Sequence, residues 1–349
     1  MAVNFFQYQM EDLAEYLLAF GEKKFRAQQL FRWVYGLKEF NYDNMSNISK
    51  TFRTQLPELV SLELPPVVKL QKSLDGTKKY LFEVGPAQTV EAVLIPGNKG
   101  RRTLCLSSEV GCNMACKFCY KGKQKLKQRL STQQIVGQFV KVMLEQDPEE
   151  PITNVVFMGM GEPLDNPEAV FAAAKILHSP WGINLSKKKI TVSTSGLVPQ
   201  IPLVTEAGLR LAVSLNAPND ELREKIMPIN KKWPLKDLLD ACKIHSQQSK
   251  DKVTMEYVLL KDFNDSIEHA RQLVKLLRGV PSKVNLIPFN EHPESGFHRP
   301  TEEKIQKFQE YLMSKDTHVL RRRTMGRDIY AACGQLTSAH KNHPISMSI

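Results

Sequence analysis

Short runs of apolar and β-branched residues recur through the chain after position 100, and each is followed by a stretch with helical spacing. The runs that predict strands, about six in number, are TLCLSS, ITNVVFMGM, KKITVSTS, LRLAVSL, KVTMEYVLL and KVNLIPF. One of the helical stretches is STQQIVGQFVKVMLEQ, where Ser131 is a candidate N-cap. Strands that alternate with helices predict a parallel α/β domain, either an open sheet or a partial barrel.

Two smaller regions precede this domain. Residues 1 to about 65 predict short helices, because apolar positions in QQLFRWVYGL recur at helical spacing and Pro57 closes the region. Residues 66–100 alternate in the manner of strands, with a turn at Asp75-Gly76. The predicted division is therefore a helical accessory domain over 1–65, a short β linker region over 66–100 and a main domain over 101–349.

Composition predicts an ordinary globular protein with a basic surface. Of the 349 residues 42% are hydrophobic and 24% charged, which excludes disordered and disulfide-scaffold classes. No apolar run approaches the roughly 18 residues of a membrane helix, and the N-terminus lacks the pattern of a signal peptide. A cytoplasmic protein without membrane contact is expected. The net charge of +11 favours nucleic acid as a partner, and a solvated basic surface explains it equally well.

The cysteines point to a metal or redox centre. Four of the six lie within 15 residues, and a cytoplasmic chain rarely holds a structural disulfide framework. Cys112, Cys116 and Cys119 follow the pattern C-x3-C-x2-C. A structural zinc site and most 4Fe–4S clusters take four protein ligands, so three thiolates leave one metal position open for a substrate or cofactor. A zinc knuckle with Cys105 as the fourth ligand is the alternative.

This spacing, with Phe118 before the last cysteine, resembles that of radical S-adenosylmethionine (SAM) enzymes, which bind a 4Fe–4S cluster. Further motifs narrow the resemblance to the RlmN/Cfr family of radical SAM RNA adenine methyltransferases, and within it to the RlmN branch. These motifs are TLCLSSEVGCNMACKFC, MGMGEPL, STSGLVP, SLNAPND, MPINKK, NLIPFN and AACGQL. GEKKFRAQQLFRWVY and SLDGTKKYLFEV match as well, so the resemblance covers nearly the whole chain. The resemblance implies a radical SAM core that folds as a partial (β/α)6 barrel and follows, along the chain, a small helical domain that binds RNA.

The resemblance also implies roles for individual residues. The cluster would be bound by Cys112, Cys116 and Cys119. SAM would contact Gly161, Glu162, Ser193, Ser214, Leu215, Asn216 and Asn290. Cys333 would accept a methyl group from one SAM, and the radical from a second SAM would convert it to a carbon radical that adds to adenine. Cys105 would release the adduct by forming a disulfide with Cys333, and Glu91 would remove the ring proton.

Two positions depart from the family pattern, and several basic runs are candidate RNA contacts. Asn216 stands where histidine is usual, and Tyr120 stands where a small residue follows the third cysteine. The basic candidates are Lys121 to Arg129, Arg101 and Arg102, Lys187 to Lys189, Lys231 and Lys232, and Arg321 to Arg323. For each run taken alone, a solvated face is the simpler explanation.

The reaction that the resemblance implies is formation of 2-methyladenosine in 23S ribosomal RNA, with tRNA as a second candidate substrate. The preference for carbon 2 rests on Pro163 and on the STSG and NLIPFN motifs. A flavodoxin system is the implied electron donor, and a monomer is the default expectation. The alternatives are a Cfr-like carbon-8 methylase that confers antibiotic resistance, a radical SAM activase without roles for Cys105 and Cys333, and a zinc-stabilised RNA-binding module.

Overall fold

The N-terminal region folds as a small helical layer. The computed structural model describes residues 2–292 and 295–337. Three helices and two short strands make up this region: β1 (Val3–Asn4), α1 (Met10–Leu18), α2 (Phe25–Phe31), α3 (Lys50–Leu59) and β2 (Val60–Ser61). Its core includes an aromatic cluster of Phe5, Phe31 and Tyr35, whose ring centroids lie 5.1 to 5.4 Å apart. Pro57 lies inside α3 rather than closing the region, because a proline near a helix end removes only one backbone hydrogen bond.

A single ten-stranded sheet runs through the rest of the molecule. Three antiparallel strands form one end of it: β3 (Val67–Lys72), β4 (Lys78–Gly85) and β5 (Gln88–Pro96). The strands that continue it are β6 (Arg102–Cys105), β9 (Asn154–Phe157), β10 (Ile190–Thr194), β11 (Arg210–Ser214), β12 (Val253–Leu259), β13 (Ser282–Pro288) and β14 (Val319–Arg321). These seven strands are parallel to one another, and β5 joins β6 in antiparallel fashion.

The predicted α/β class is confirmed, and the 66–100 region becomes part of the sheet. Strand order is β14–β13–β12–β11–β10–β9–β6–β5–β4–β3. Two further short strands, β7 (Glu109–Val110) and β8 (Gln128–Arg129), pair with each other. The remaining helices are α4 (Thr132–Leu144), α5 (Pro167–His178), α6 (Ile201–Glu206), α7 (Asp220–Ile226), α8 (Leu235–Ser249), α9 (Ile267–Leu276) and α10 (Glu302–Met313). The last twelve residues of the predicted main domain, 338–349, lie outside the described residues.

Side chains on the parallel strands alternate between two environments. On β10, Ile190 and Val192 are fully buried, whereas Thr191 and Ser193 on the other face are half-buried. Successive strand residues point to opposite faces, so the apolar set packs in the core and the small polar set faces the inside of the curved sheet. The interior therefore keeps open space, and the loops at the carboxyl ends of the strands surround it.

Local capping also follows the sequence. Ser131 is the N-cap of α4 as predicted. Its hydroxyl accepts a hydrogen bond from the Gln134 backbone N–H, and the Gln134 side-chain oxygen accepts one from the Ser131 backbone N–H. This cap starts α4 directly after β8 and so limits the length of the cysteine loop. Within the part of the chain that the structure describes, the helices are too short or too polar to span a bilayer.

Candidate active site

A cavity opens at the carboxyl ends of the parallel strands, with about 970 Å³ of empty space including its mouth, and the three clustered cysteines line it. Six of the seven predicted SAM contacts line the same cavity: Gly161, Glu162, Ser193, Ser214, Asn216 and Asn290. Leu215 does not, because its side chain is fully buried and its backbone N–H donates to the Glu256 carbonyl at 3.0 Å. Loops that are far apart in sequence thus meet where the strand ends converge.

The cysteine loop is held in a tight fold around this cavity. The Cys112 backbone N–H donates to the Gln124 carbonyl at 3.0 Å, and the Cys119 N–H donates to the Cys116 carbonyl at 3.2 Å. Gly122 has to lack a side chain, because a Cβ there would lie 2.2 Å from the Cys116 carbonyl oxygen. Burial raises the pKa of the Cys112 thiol to about 12. A positively charged metal centre would offset that cost by stabilising the thiolates.

The three thiols of the cysteine loop line one cavity, as the ligands of a single cluster would. Among residues 2–292 and 295–337, no three Cys, His, Asp or Glu side chains converge closely enough to bind one metal ion. In an iron–sulfur cube each thiolate binds a different iron, so the ligands lie farther apart than those around a single zinc. The zinc alternative also needs Cys105, which lies in a different cavity beside Cys333.

Polar groups on the cavity wall fit a ligand such as SAM. The side-chain oxygen of Asn290 is buried and has no hydrogen-bond partner among the described residues, whereas its amide donates to the Cys333 carbonyl at 3.2 Å. A buried unpaired acceptor is costly unless a ligand satisfies it. The Glu162 carboxylate is a second polar group on this wall and suits a ligand ammonium.

Glu162 also joins two of the loops that form the cavity. Its carboxylate accepts a hydrogen bond from the Ser195 backbone N–H at 2.7 Å, and its own N–H donates to the Glu109 carboxylate at 2.8 Å. Burial raises the pKa of Glu162, and the bond from Ser195 opposes that rise. The side chain is therefore positioned from both ends before any ligand binds.

Arg223 is a residue that the sequence analysis missed. It lies on α7, is fully buried, and donates to three backbone carbonyls: Ser195 at 2.6 Å, Ser214 at 3.0 Å and Leu215 at 3.1 Å. A further bond reaches the Asn230 side-chain oxygen at 2.8 Å. Burial lowers the pKa of the guanidinium to about 10, so Arg223 stays charged at neutral pH. One side chain thus holds together the loops that follow β10 and β11.

Cys105 and Cys333 meet in a second, smaller cavity of about 520 Å³. Cys333 also lines the first cavity, so its residue forms the boundary between the two. Burial and the nearby Cys333 raise the pKa of the Cys105 thiol to about 12, and the Lys121 and Arg322 cations act against the rise. All six cysteines are free, so the Cys105–Cys333 disulfide implied by the resemblance is not formed in this structure.

Glu91 lies on β5, buried next to this cavity but not on its lining. Its carboxylate forms an ion pair with Lys79 at 3.0 Å and accepts a hydrogen bond from the Thr337 backbone N–H at 2.8 Å. Lys79 also donates to the Tyr330 carbonyl at 3.2 Å. The pair therefore anchors both ends of the loop that carries Cys333.

The basic loop after the third cysteine does not act as one surface. Lys121 is buried, donates to the Gly159 carbonyl and lines the first cavity, whereas Arg129 pairs with Asp165 at 2.9 Å. The nearby thiols of Cys119 and Cys112 raise the pKa of Lys121 against the effect of burial. Lys121 is thus a cation of the cavity interior, and the structure does not place it on an RNA-facing surface.

The chain matches two family models. Residues 3–62 match the ribosomal RNA large subunit methyltransferase N-terminal domain, and residues 107–274 match the radical SAM superfamily. A Bdellovibrio bacteriovorus protein called dual-specificity RNA methyltransferase RlmN is 59% identical over 99% of this chain and 86% of its own length. The chain belongs to the RlmN family. The corresponding Geotalea uraniireducens protein is 46% identical over 96% of each chain.

A solved structure agrees with this assignment. The radical SAM methyltransferase from Sphaerobacter thermophilus superposes with a TM-score of 0.91 at 38% identity, covering 97% of this chain and 100% of that one. Membership of the radical SAM superfamily implies a 4Fe–4S cluster and SAM as cofactors, and the cavity described above has the residues to bind them. These comparisons confirm three predictions from the sequence: the family, the α/β radical SAM fold, and the class of SAM-dependent RNA methyltransferase.

Two departures from the RlmN/Cfr pattern now have structural contexts. Asn216 adopts a left-handed backbone with φ of 57°, which asparagine tolerates better than most residues. Its side-chain oxygen accepts a hydrogen bond from the Val258 N–H at 2.9 Å. The Tyr120 ring packs edge-on against His292 at 5.3 Å, and its backbone N–H donates to the Gly334 carbonyl at 2.9 Å. Tyr120 thus joins the cluster loop to the Cys333 loop.

We expect Gly161→Ala to weaken SAM binding more than about tenfold, since a small displacement of a binding loop has effects of that order. Gly161 has φ of 97°, and a Cβ there would lie 2.6 Å from Glu109, which holds the Glu162 backbone. Gly279→Ala is the control, since Gly279 has φ of 80° but nothing within 4 Å of the added Cβ. Calorimetric titration with SAM measures both variants, and equal affinities would contradict the steric role of Gly161.

Proposed function

We propose that this chain methylates carbon 2 of adenosine in 23S ribosomal RNA and in tRNA, by way of a methyl group carried on Cys333. The observation that carries the proposal is the position of Cys333, which lies on the lining of the SAM cavity and of the Cys105 cavity at once. A thiol at that boundary can receive a group on one side and deliver it on the other. The relatives are called dual-specificity RNA methyltransferases, and the matched N-terminal domain is named for the large ribosomal RNA subunit, which supports RNA as the substrate.

The residues of the site divide the work. Cys112, Cys116 and Cys119 would hold the cluster, and Glu162 and Asn290 would orient SAM. When bound, these cofactors supply radical chemistry that makes an unreactive methyl group able to attack a ring carbon. An ordinary transfer from SAM does not work at adenine carbon 2, because both the methyl donor and that carbon are electrophilic.

Cys333 would stay bonded to the adenine through the transferred carbon until the Cys105 thiolate attacks its sulfur. The S–S bond would then form as the S–C bond breaks, and the transferred carbon would keep the electron pair of that bond and take up a proton. A dithiol reductant would return the disulfide to two thiols before the next turnover. Arg322 lines both cavities, and its charge opposes the rise that burial causes in the pKa of Cys105.

Glu91 is the proposed base for the ring proton. Burial raises the pKa of Glu91, and its ion pair with Lys79 opposes that rise and so favours the ionised carboxylate that a base requires. Its neighbour two residues along β5, Val93, lines the Cys105 cavity and pairs in register with Cys105. Residues two apart on a strand share a face, so Glu91 lies on the face that carries Cys105. A flavodoxin-type electron donor and a monomeric state complete the proposal.

Nucleoside mass spectrometry tests this function. Ribosomal RNA and tRNA from cells with and without the gene are digested and compared with 2-methyladenosine and 8-methyladenosine standards. We expect deletion to remove 2-methyladenosine from both RNA fractions and a plasmid copy to restore it. Loss of 8-methyladenosine instead would assign the carbon-8 reaction. No change in either nucleoside, in a strain without a second copy of the gene, would refute the methyltransferase proposal.

A further inference from the structure

A third cavity opens at the amino ends of the parallel strands, opposite the SAM cavity, with about 1710 Å³ of empty space including its mouth. Its walls carry small residues from successive strands: Thr103, Thr191, Ala212 and Thr254. A closed parallel barrel fills this interior with bulky branched side chains. Small residues at these positions leave a channel where a packed core would otherwise form.

The channel leads to the two reactive cysteines. Met158 and Arg322 line all three cavities, so each cavity borders the next. Strand register gives the same result, because Cys105 pairs with Val156, Val156 with Thr191, and Thr191 with Arg210. Directly paired residues point to the same face of a sheet. Arg210 at the mouth and Cys105 at the inner end therefore point to the same face of the sheet, the one that lines the barrel interior.

Positive charge collects at the mouth of this channel. Arg101, Arg210 and Lys283 line it, and among the described residues none of the three has a carboxylate within ion-pair distance. Burial and the nearby Arg210 and Arg101 guanidinium groups lower the pKa of Lys283. The Glu256 and Asp251 carboxylates oppose this shift, but the cations on the lining outnumber its two carboxylates, Asp75 and Glu256. An anionic ligand would relieve the remaining repulsion among the cations.

The two carboxylates on the same lining are already engaged. Asp75 accepts hydrogen bonds from the backbone N–H groups of Gly326 at 2.7 Å and Thr77 at 3.0 Å. Both oxygens of Glu256 accept from the Asn285 amide, at 3.0 and 2.9 Å. Their hydrogen bonds fix them to the protein framework, and they leave the cationic mouth with a net positive charge.

Two other basic candidates, Arg102 and Arg321, form ion pairs in the folded chain. Arg102 pairs with Glu150, and Arg321 pairs with Glu302 through both guanidinium nitrogens. An arginine that already holds a carboxylate contributes less to phosphate binding than an unpaired one. Arg101, by contrast, lines the channel mouth without such a pair among the described residues, although it is the neighbour of Arg102 in the chain.

We propose that Arg101, Arg210 and Lys283 form the RNA entrance, where they bind the phosphates that flank the target adenosine. The unstacked base then passes along the channel to Cys333 and Cys105, while SAM and the cluster occupy the opposite end. This inference rests on the proposed function and adds the route and the anionic contacts of the substrate. Phosphate contacts fix the register of a nucleic acid, and chemistry on a base requires its removal from the stack.

The test compares two triple variants of the full-length, cluster-loaded enzyme. The channel variant is R101Q/R210Q/K283Q, and the control is K225Q/K236Q/K307Q, which removes the same charge from exposed lysines on α7, α8 and α10. Each control lysine pairs with a carboxylate four residues away. The probe is protein-free 23S ribosomal RNA, and the readout is its dissociation constant over a range of salt concentrations.

We expect the channel variant to bind this RNA at least about tenfold more weakly, and its salt dependence to fall by about two logarithmic units per decade, since each single-strand phosphate contact contributes about 0.7. The control should match the wild type, and R210K should keep most of the salt dependence because it keeps the charge. SAM affinity and iron content should be unchanged in all variants, which separates RNA binding from folding.

If the two triple variants bind RNA with equal affinity and equal salt dependence, the proposed RNA entrance is wrong. A parallel loss of SAM affinity in the channel variant would also overturn it, since the three residues would then support the fold. Failure of the proposed function looks different, because the wild type itself would then leave RNA unmethylated. Suppose that the wild type methylates RNA and that the channel variant cannot be distinguished from the control. The proposed function then stands, and only the proposed RNA entrance is refuted.

Discussion

Cys333→Ala should abolish RNA methylation, with a loss of at least about a thousandfold as expected for removal of a covalent catalyst, while iron content and SAM affinity stay unchanged. Cys333 lies between the SAM cavity and the Cys105 cavity, and no other cysteine lines both. Its sulfur is the only one placed to carry a group from one to the other. Transfer of radiolabelled methyl from SAM to RNA measures the loss.

Cys242→Ala is the matched control for this substitution. Cys242 is a fully buried thiol on α8, in the apolar core and away from both cavities. Its replacement should cost about 1 kcal/mol of unfolding free energy through lost packing and leave methylation intact. If Cys333→Ala kept wild-type turnover, the methyl-carrier role of Cys333 would be wrong.

Cys105→Ala separates the second thiol from the first. Without Cys105 the sulfur of Cys333 has no attacking thiol in its cavity, so the bond between protein and RNA should persist. We expect a covalent protein–RNA adduct that survives denaturing electrophoresis and disappears in the Cys105→Ala/Cys333→Ala double variant. Release of methylated RNA at the wild-type rate would contradict the role of Cys105.

Arg223→Met should lower the unfolding free energy by at least about 3 kcal/mol, because three buried acceptors left without a donor cost about 1–3 kcal/mol each. Four acceptors lose Arg223, and the Leu215 carbonyl among them keeps its bond from the Ala217 N–H at 2.8 Å. Three of them are the carbonyls of Ser195, Ser214 and Leu215, which shape the loops around SAM. SAM affinity should therefore fall together with stability. Urea denaturation and calorimetric SAM titration measure the two effects.

Two further variants identify the origin of this effect. Arg271→Met removes an exposed arginine with a surface ion pair to Glu268, which should cost less than about 1 kcal/mol. Arg223→Lys keeps the charge but loses the planar set of donors, so it should remain folded and bind SAM more weakly than the wild type. Unfolding free energies of Arg223→Met and Arg271→Met that agree within error would refute the positioning role of Arg223.

The sequence by itself determined the fold class and most of the SAM cavity. Strand runs separated by helical stretches indicate parallel β/α units, and loops at the carboxyl ends of such strands must meet at one edge. Position at the strand ends grouped the loops, and the family resemblance assigned Cys112 to the cluster and Gly161 and Asn290 to SAM. The order of the family motifs assigned Cys105 and Cys333 to the same site. No local pattern could link these two residues, because more than two hundred residues separate them.

Only the tertiary structure decided which charged residues are buried, paired or left facing a cavity. Arg223 lies in DELREK, a sequence typical of a solvated helix face, and it becomes buried because α7 packs beneath the SAM loops. Lys121 belongs to a basic run but points inward. Arg210 and Lys283 are single charges at the amino ends of strands far apart in sequence, and curvature of the sheet brings them together. The sequence does not show which way a charged side chain points, because packing between distant segments decides whether it is buried and which residue it pairs with.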